Sequence, residues 1–203
     1  MPVVLLFAGL ALLSQPEVSR AAELRSSAAL SRALAGGGRA EATLRYLTTT
    51  AGGSHRAVHA TLALEPPDRA RMDVAASGEK LVARADGGEW LQPSTGQLLR
   101  FPARSAAAAL RWWRVLLAAD GSARERRLAQ GRYVVTLVGE HGAAVDSAEV
   151  WLDPHGLPAR LVVPAGDPDA TVYRLGSWRF MRARGATAFR LKAPAGFEVV
   201  ELP

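Results

Sequence analysis

From residue 42 onward the chain repeats one pattern. Apolar and polar residues alternate with a period of two, in short runs bounded by glycine, proline and aspartate. Alternation sends successive side chains to opposite faces, so each run makes a strand with one apolar side. Leu44, Tyr46 and Thr48 alternate with Thr43, Arg45 and Leu47. The loop 51–54 then leads to a strand over 58–65. Pro66-Pro67-Asp68 turns into 69–75, and Ser77-Gly78-Glu79 into 80–85. Asp86-Gly87-Gly88 is a hairpin signal before 89–92, and a turn over 93–96 precedes 97–101. The pattern resumes at 126–130, 132–139, 147–153, 158–164 and 170–181, and two short strands are expected within 189–200.

Two segments break the alternation. Over 22–35, Leu24, Ala28, Leu30 and Leu34 share one helical face, and Gly36-Gly37-Gly38 ends the run. Over 104–119 (RSAAAALRWWRVLLAA), Leu110, Trp113, Leu116 and Leu117 share a face flanked by Arg111 and Arg114, with Ser105 as N-cap. The pattern therefore predicts one α+β domain, a long antiparallel meander with an N-terminal and a central helix. A strongly twisted sheet of this kind curls. Helices laid over its concave face leave an apolar cavity of the sort that holds small molecules or lipids.

Residues 2–13 (PVVLLFAGLALL) are uncharged and apolar, too short for the ~20 residues of a bilayer span but suited to a signal-peptide core. Small residues Ser19, Ala21 and Ala22 follow, so we expect a signal peptide over 1–21 and a single mature domain over 22–203. The 203 residues contain no cysteine, which excludes disulfides, thiolate metal sites, a catalytic thiol and an acylated cysteine anchor. Net charge is +6, carried almost wholly by 23 arginines against two lysines, Lys80 and Lys192. The arginines are scattered among acids, so no nucleic-acid partner is expected. The densest group, Arg124, Arg126 and Arg127 with Arg111, Arg114 and Arg132 nearby, reads as a solvated face.

No catalytic constellation is visible. The sequence lacks G-x-S-x-G, P-loop, H-E-x-x-H and dinucleotide-fingerprint patterns. His55 and His59 share one side of a strand but stand about 13 Å apart, too far for one metal ion. Glu149, Asp153 and His155 include the turn Asp153-Pro154-His155-Gly156, whose residue types the turn itself explains. We expect no enzyme activity, no metal and no cofactor.

The stretch beginning at Pro67 resembles the outer-membrane lipoprotein carrier (LolA-like) family. The residues that carry the likeness are Pro67, Leu81-Val82, Asp86-Gly87, Trp90, Pro93 and Gln97. The segment 150–163 (VWLDPHGLPARLVV) is similar to that family's strand–turn–strand, and 188–202 (AFRLKAPAGFEVVEL) to its closing pattern. The resemblance implies an incomplete, strongly curved antiparallel β-barrel covered by helices. It also implies a non-enzymatic, monomeric periplasmic chaperone that carries the acyl chains of lipoproteins toward the outer membrane. An envelope lipid- or glycolipid-binding protein without lipoprotein cargo is the alternative. Acylated lipoproteins or lipids would be the cargo, and an inner-membrane releasing transporter and an outer-membrane receptor the docking partners. The expected lipid-binding residues are Leu62, Leu64, Met72, Val74 and Trp90, with Leu110, Trp113 and Leu117 as the helical lid. The chain departs from the family at Glu65-Pro66, where the well-known carriers have an Arg before the strand-leading Pro that helps hold the lid shut.

Overall fold

The computed structural model describes residues 24–49, 55–103, 113, 116–117, 123–138, 144–167 and 169–203, the side chains of residues 49 and 145 excepted. The expected signal peptide lies outside them. One short helix, α1 (Ala28–Leu34), precedes twelve strands. These are β1 (Gly38–Thr49), β2 (His55–Glu65), β3 (Arg69–Val74), β4 (Lys80–Arg84), β5 (Gly87–Gln92) and β6 (Gln97–Pro102), then β7 (Ala123–Ala129), β8 (Arg132–Val138), β9 (Ala144–Leu152), β10 (Pro158–Val163), β11 (Thr171–Arg182) and β12 (Glu198–Glu201). They form one sheet in the order β12-β6-β5-β4-β3-β2-β1-β11-β10-β9-β8-β7. Each hairpin-linked neighbour pairs antiparallel, β1 closes antiparallel against β11, and β12 alone joins parallel, beside β6. The described residues are thus mostly β rather than an even α+β mixture. Of the expected central helix, Trp113, Leu116 and Leu117 are described, and all three are helical and buried. Leu110 and Ser105 lie outside the described residues.

Register converts the alternation into rows. Ala42, Leu62, Met72, Leu81, Trp90 and Leu99 stand opposite one another across six strands. Beside that row run Leu175, Leu44, Ala60 and Val74. On this face Leu62 and Leu64 have no exposure, and α1 lays Leu30 and Leu34 into the same cluster, which continues to Val135, Val150 and Leu161. Full burial of a leucine stabilises by roughly 1.5–3 kcal/mol, so this face is the main source of fold stability.

Among the described residues, the opposite face is covered by apolar packing at β4–β6 and, beside it, by polar contacts from the ends of β1–β3. At β4–β6, Val82, Leu91 and Leu98 pack against Phe189 and Leu191. The expected strand at the start of 189–200 is absent. Ala186–Phe189 is a 3₁₀ turn, and only Glu198–Glu201 is a strand. The reason is local: side chains, not a ladder, hold this segment down. Arg71 Nη1 donates to the Ala188 carbonyl (2.9 Å), Arg84 Nη1 donates to that of Phe189 (2.6 Å), and the Glu89 carboxylate accepts the Leu191 N–H. Arg39 and Arg69 lie over the Phe189 ring at 5.5 and 5.9 Å.

The glycines of Asp86-Gly87-Gly88 serve packing more than the turn. Gly87 pairs with Arg84, so the hairpin loop is Ala85-Asp86 and both glycines lie in β5. A Cβ on Gly88 would stand 2.0 Å from Phe101 Cε2 and 2.8 Å from the Val82 carbonyl oxygen. Gly36, by contrast, has nothing within 4 Å. Gly88→Ala is expected to lower stability by about 1–3 kcal/mol, the range for overpacking. Gly36→Ala should leave it nearly unchanged. Thermal denaturation of the two variants checks the difference.

Candidate functional site

Two clefts open where β1 and β2 run out past the covered part of the apolar face, one on each side of Tyr46. The first, about 340 Å³, is lined by Tyr46, Arg56, Val58, Val74, Glu79 and Trp90 among others. The second, about 780 Å³, is bounded by Tyr46, Leu47, His55, Val172 and Tyr173. Both fall in the ~300–1,000 Å³ range of small-molecule sites. The Tyr46 and Tyr173 rings meet at 5.3 Å, and Trp113 meets Tyr173 edge-on at 6.0 Å. This aromatic bridge joins the rim of the clefts to the helical cover of the core.

The lining is amphipathic. Val58, Val74 and Trp90 give apolar walls, while Arg56, Glu79, Thr48 and Ser77 give polar edges. Among the described residues no group of His, Asp and Glu is placed to hold a metal ion. Burial pushes the Tyr46 phenol above its ordinary value, and the Glu79 carboxylate adds to the rise. Burial does the same for Tyr173, with Tyr46 as the second cause. Both clefts therefore hold neutral phenols as hydrogen-bond donors throughout the physiological range.

Leu62, Leu64, Val74, Trp113 and Leu117 come together in one buried cluster, with Met72 packed against it. Leu62 and Leu64 line no open space, because they are fully covered. Trp90 shares their face but is 38% exposed and lines the first cleft. Leu110 lies outside the described residues. Sequence reasoning missed Tyr46, Val58 and Tyr173 as cleft residues. Tyr46 and Val58 carried the signal, an even-numbered position on an alternating strand. Tyr173 was hidden because it faces Tyr46 only through the long-range β1–β11 pairing.

Just before Pro66, Glu65 is buried and pairs with Arg69 at 2.9 Å. Its carboxylate also accepts the backbone N–H groups of Arg184 (2.8 Å) and Gly185 (3.1 Å). This corner is a clamp on the end of β11, on the side of the sheet that Phe189 covers.

No protein-family model matches the chain, and no curated protein matches it. Solved structures do. An uncharacterised conserved protein from Thermus thermophilus superposes with a TM-score of 0.51 at 15% identity, over 88% of this chain and 100% of its own. A LolA superfamily protein from Nitrosomonas europaea gives 0.43 at 9% identity, over 81% and 97% of the two chains. A domain named as an outer membrane lipoprotein-sorting protein, from Vibrio parahaemolyticus, gives 0.40 at 12% identity, over 80% and 94%. The likeness is one of fold. LolA-type structures are among those this chain is similar to.

The raised phenols give a pH prediction. A tyrosine whose folded value lies above its unfolded value of 10.0 favours the neutral form in the native state. Stability from both residues is complete below that value and falls as pH rises from it toward the folded values. Phenolate absorbance of the native protein should rise later than that of the denatured protein. Glu79→Gln should bring the Tyr46 transition only part of the way down, because burial is the larger cause.

Proposed function

We propose that this chain is a periplasmic, non-enzymatic envelope protein that shelters acyl chains against the apolar face of its sheet. One observation carries the proposal: a continuous apolar face, roofed by α1 and by Trp113, Leu116 and Leu117, opens to solvent through amphipathic clefts beside Tyr46. Residues 1–21 direct export, and 22–203 form one lipid-cavity domain. The sheet curls into an incomplete barrel around this face. In support, its order runs from β12 to β7 without closing, and one apolar cluster reaches from Ala83 on β4 to Val135 on β8.

An acyl chain has a strong reason to enter. Each buried CH₂ is worth roughly 0.8 kcal/mol, so a multi-chain lipid does not cross water unaided. In the closed form Leu62 and Leu64 leave no room, so the cargo enters at the rim and displaces the roof. A seven-residue helix held by Leu30 and Leu34 is a small element to move. We place Val58, Val74, Trp90 and Tyr46 at the entry, Leu62, Leu64 and Met72 along the floor, and Leu110, Trp113 and Leu117 on the lid. The cargo is an acylated lipoprotein bound for the outer membrane, received from an inner-membrane transporter and passed to a receptor by a monomeric carrier. The ordered motifs from Pro67 to Leu202 support that choice.

A second reading, a lipid- or glycolipid-binding protein without lipoprotein cargo, is favoured by Pro66, which stands where the well-known carriers have the Arg that helps hold the lid shut. The neighbouring Glu65 carboxylate is engaged with Arg69 and the 184–185 backbone, so neither Glu65 nor Pro66 offers a cation to latch a lid.

Native mass spectrometry with lipid extraction, on protein purified from the periplasm, separates the two. A co-purifying acylated protein supports the carrier, and free phospholipid or glycolipid supports the second reading. Failure to retain or take up any acylated molecule overturns both. Two substitutions separate floor from entry. Leu64→Glu buries an unpaired charge and is expected to unfold the protein. Val58→Glu, at a half-buried cleft position, should keep a cooperative melt while weakening binding of a fluorescent fatty acid at least tenfold.

A further inference from the structure

Register gathers arginines that are far apart in sequence into one line on the outer face of the sheet. His59 stands opposite Arg45, Arg45 opposite Arg174, Arg174 opposite Arg160, Arg160 opposite Trp151, and Trp151 opposite Arg132. Four guanidinium groups thus share one row over β1, β11, β10, β9 and β8, about 19 Å at the usual strand spacing. Like charges directly opposite one another destabilise a sheet, yet Arg45–Arg174 and Arg174–Arg160 are two such pairs in succession. Arg160 and Arg132 lie over the Trp151 ring at 4.4 and 4.8 Å. Among the described residues, Arg160 Nε is buried without an acceptor.

A second row runs beside the first. Val172, Val162, Glu149 and Val134 stand opposite one another on the same face. The valines are half-exposed and belong to neither apolar cluster. Glu149 is engaged by Arg132 at 2.6 Å; among the described residues no carboxylate pairs with the other three arginines of the row, and Arg45 donates to His59 Nδ1 at 3.2 Å. Leu47, two residues beyond Arg45 on β1, is 60% exposed. A strip with arginines and Trp151 in one row and aliphatic side chains in the next matches the chemistry of an anionic bilayer surface. Arginine forks bind phosphate oxygens, and Trp and aliphatic groups settle at the headgroup boundary.

We propose that this outer face, centred on Arg45, Arg174, Arg160 and Trp151, docks the protein on membranes rich in anionic phospholipid. The surface meets the second cleft at Leu47 and Val172, but its arginine row lines neither cleft, and the proposal holds whatever the clefts carry. It brings the rim beside Tyr46 and Leu47 close to the bilayer.

The test is co-sedimentation of the purified protein with vesicles of phosphatidylcholine alone, or of equal parts phosphatidylcholine and phosphatidylglycerol. Binding is expected to the anionic vesicles only, and to weaken as salt rises. Each arginine near an anionic surface contributes about fivefold in affinity. Arg45→Gln with Arg174→Gln should therefore weaken binding roughly 25-fold, without lowering the melting temperature, since it relieves a like-charge pair. The pair Arg32→Gln and Arg182→Gln removes the same charge from exposed positions outside the row and should have a much smaller effect. Equal losses in the two pairs would mean attraction by net charge alone and overturn the proposal. No binding to anionic vesicles, or equal binding to neutral ones, overturns it too. If soluble polyglutamate displaces the protein from vesicles as well as phosphatidylglycerol holds it, the row is a site for an acidic protein instead.

Discussion

A single sheet of twelve strands has one long apolar face to hide, and among the described residues very little helix with which to hide it. Everything else in the structure follows from that burial problem. Leu30 and Leu34 of α1, with Trp113, Leu116 and Leu117, lie on the middle of the face, where Leu44, Leu62 and Leu64 are fully covered. The cover is shorter than the strands it covers. Where β1 and β2 extend past it, the same alternation that builds the core leaves Tyr46, Val58 and Trp90 at an open rim. Core and cleft are one surface, separated only by where the roof stops.

The other face is handled differently at its two ends. Beneath β4–β6 the segment from Ala186 to Phe197 fills it, held by arginine donors to backbone carbonyls and by carboxylates that accept backbone N–H groups. Arginine suits this work because its planar fork bonds in several directions and its face stacks on Phe189. From β1 across to β8 no described segment plays that part, and the exposed face carries arginines, half-exposed valines and Trp151. A strapped end and a bare end give the molecule two chemically distinct outer surfaces, while the middle of the inner face stays apolar.

Much of the fold was legible from period-two alternation, because it records which side of a strand meets apolar neighbours. Most strands appear within a few residues of their expected ends, and Leu62, Leu64, Met72, Val74 and Trp113 share one cluster, as their positions implied. Two features were misread for physical reasons. Gly87 and Gly88 look like turn residues, but the space they leave is taken by Phe101. The segment after Phe189 looks like a strand, but its polar backbone groups are satisfied by Arg71, Arg84 and Glu89, so it needs no ladder partner.

Sequence alone determined the strand content, the apolar face of each strand, the burial of the α1 leucines and the absence of thiol chemistry. These depend on local spacing, and local spacing is written in the chain. Tertiary structure alone decided which strands are neighbours, and with them the meeting of Tyr46 with Tyr173, the engagement of Glu65 by the 184–185 backbone, and the line of Arg45, Arg174, Arg160 and Arg132. Those contacts join residues far apart in sequence through strand register. The alternation says which face a residue takes, but not which residue will stand opposite it.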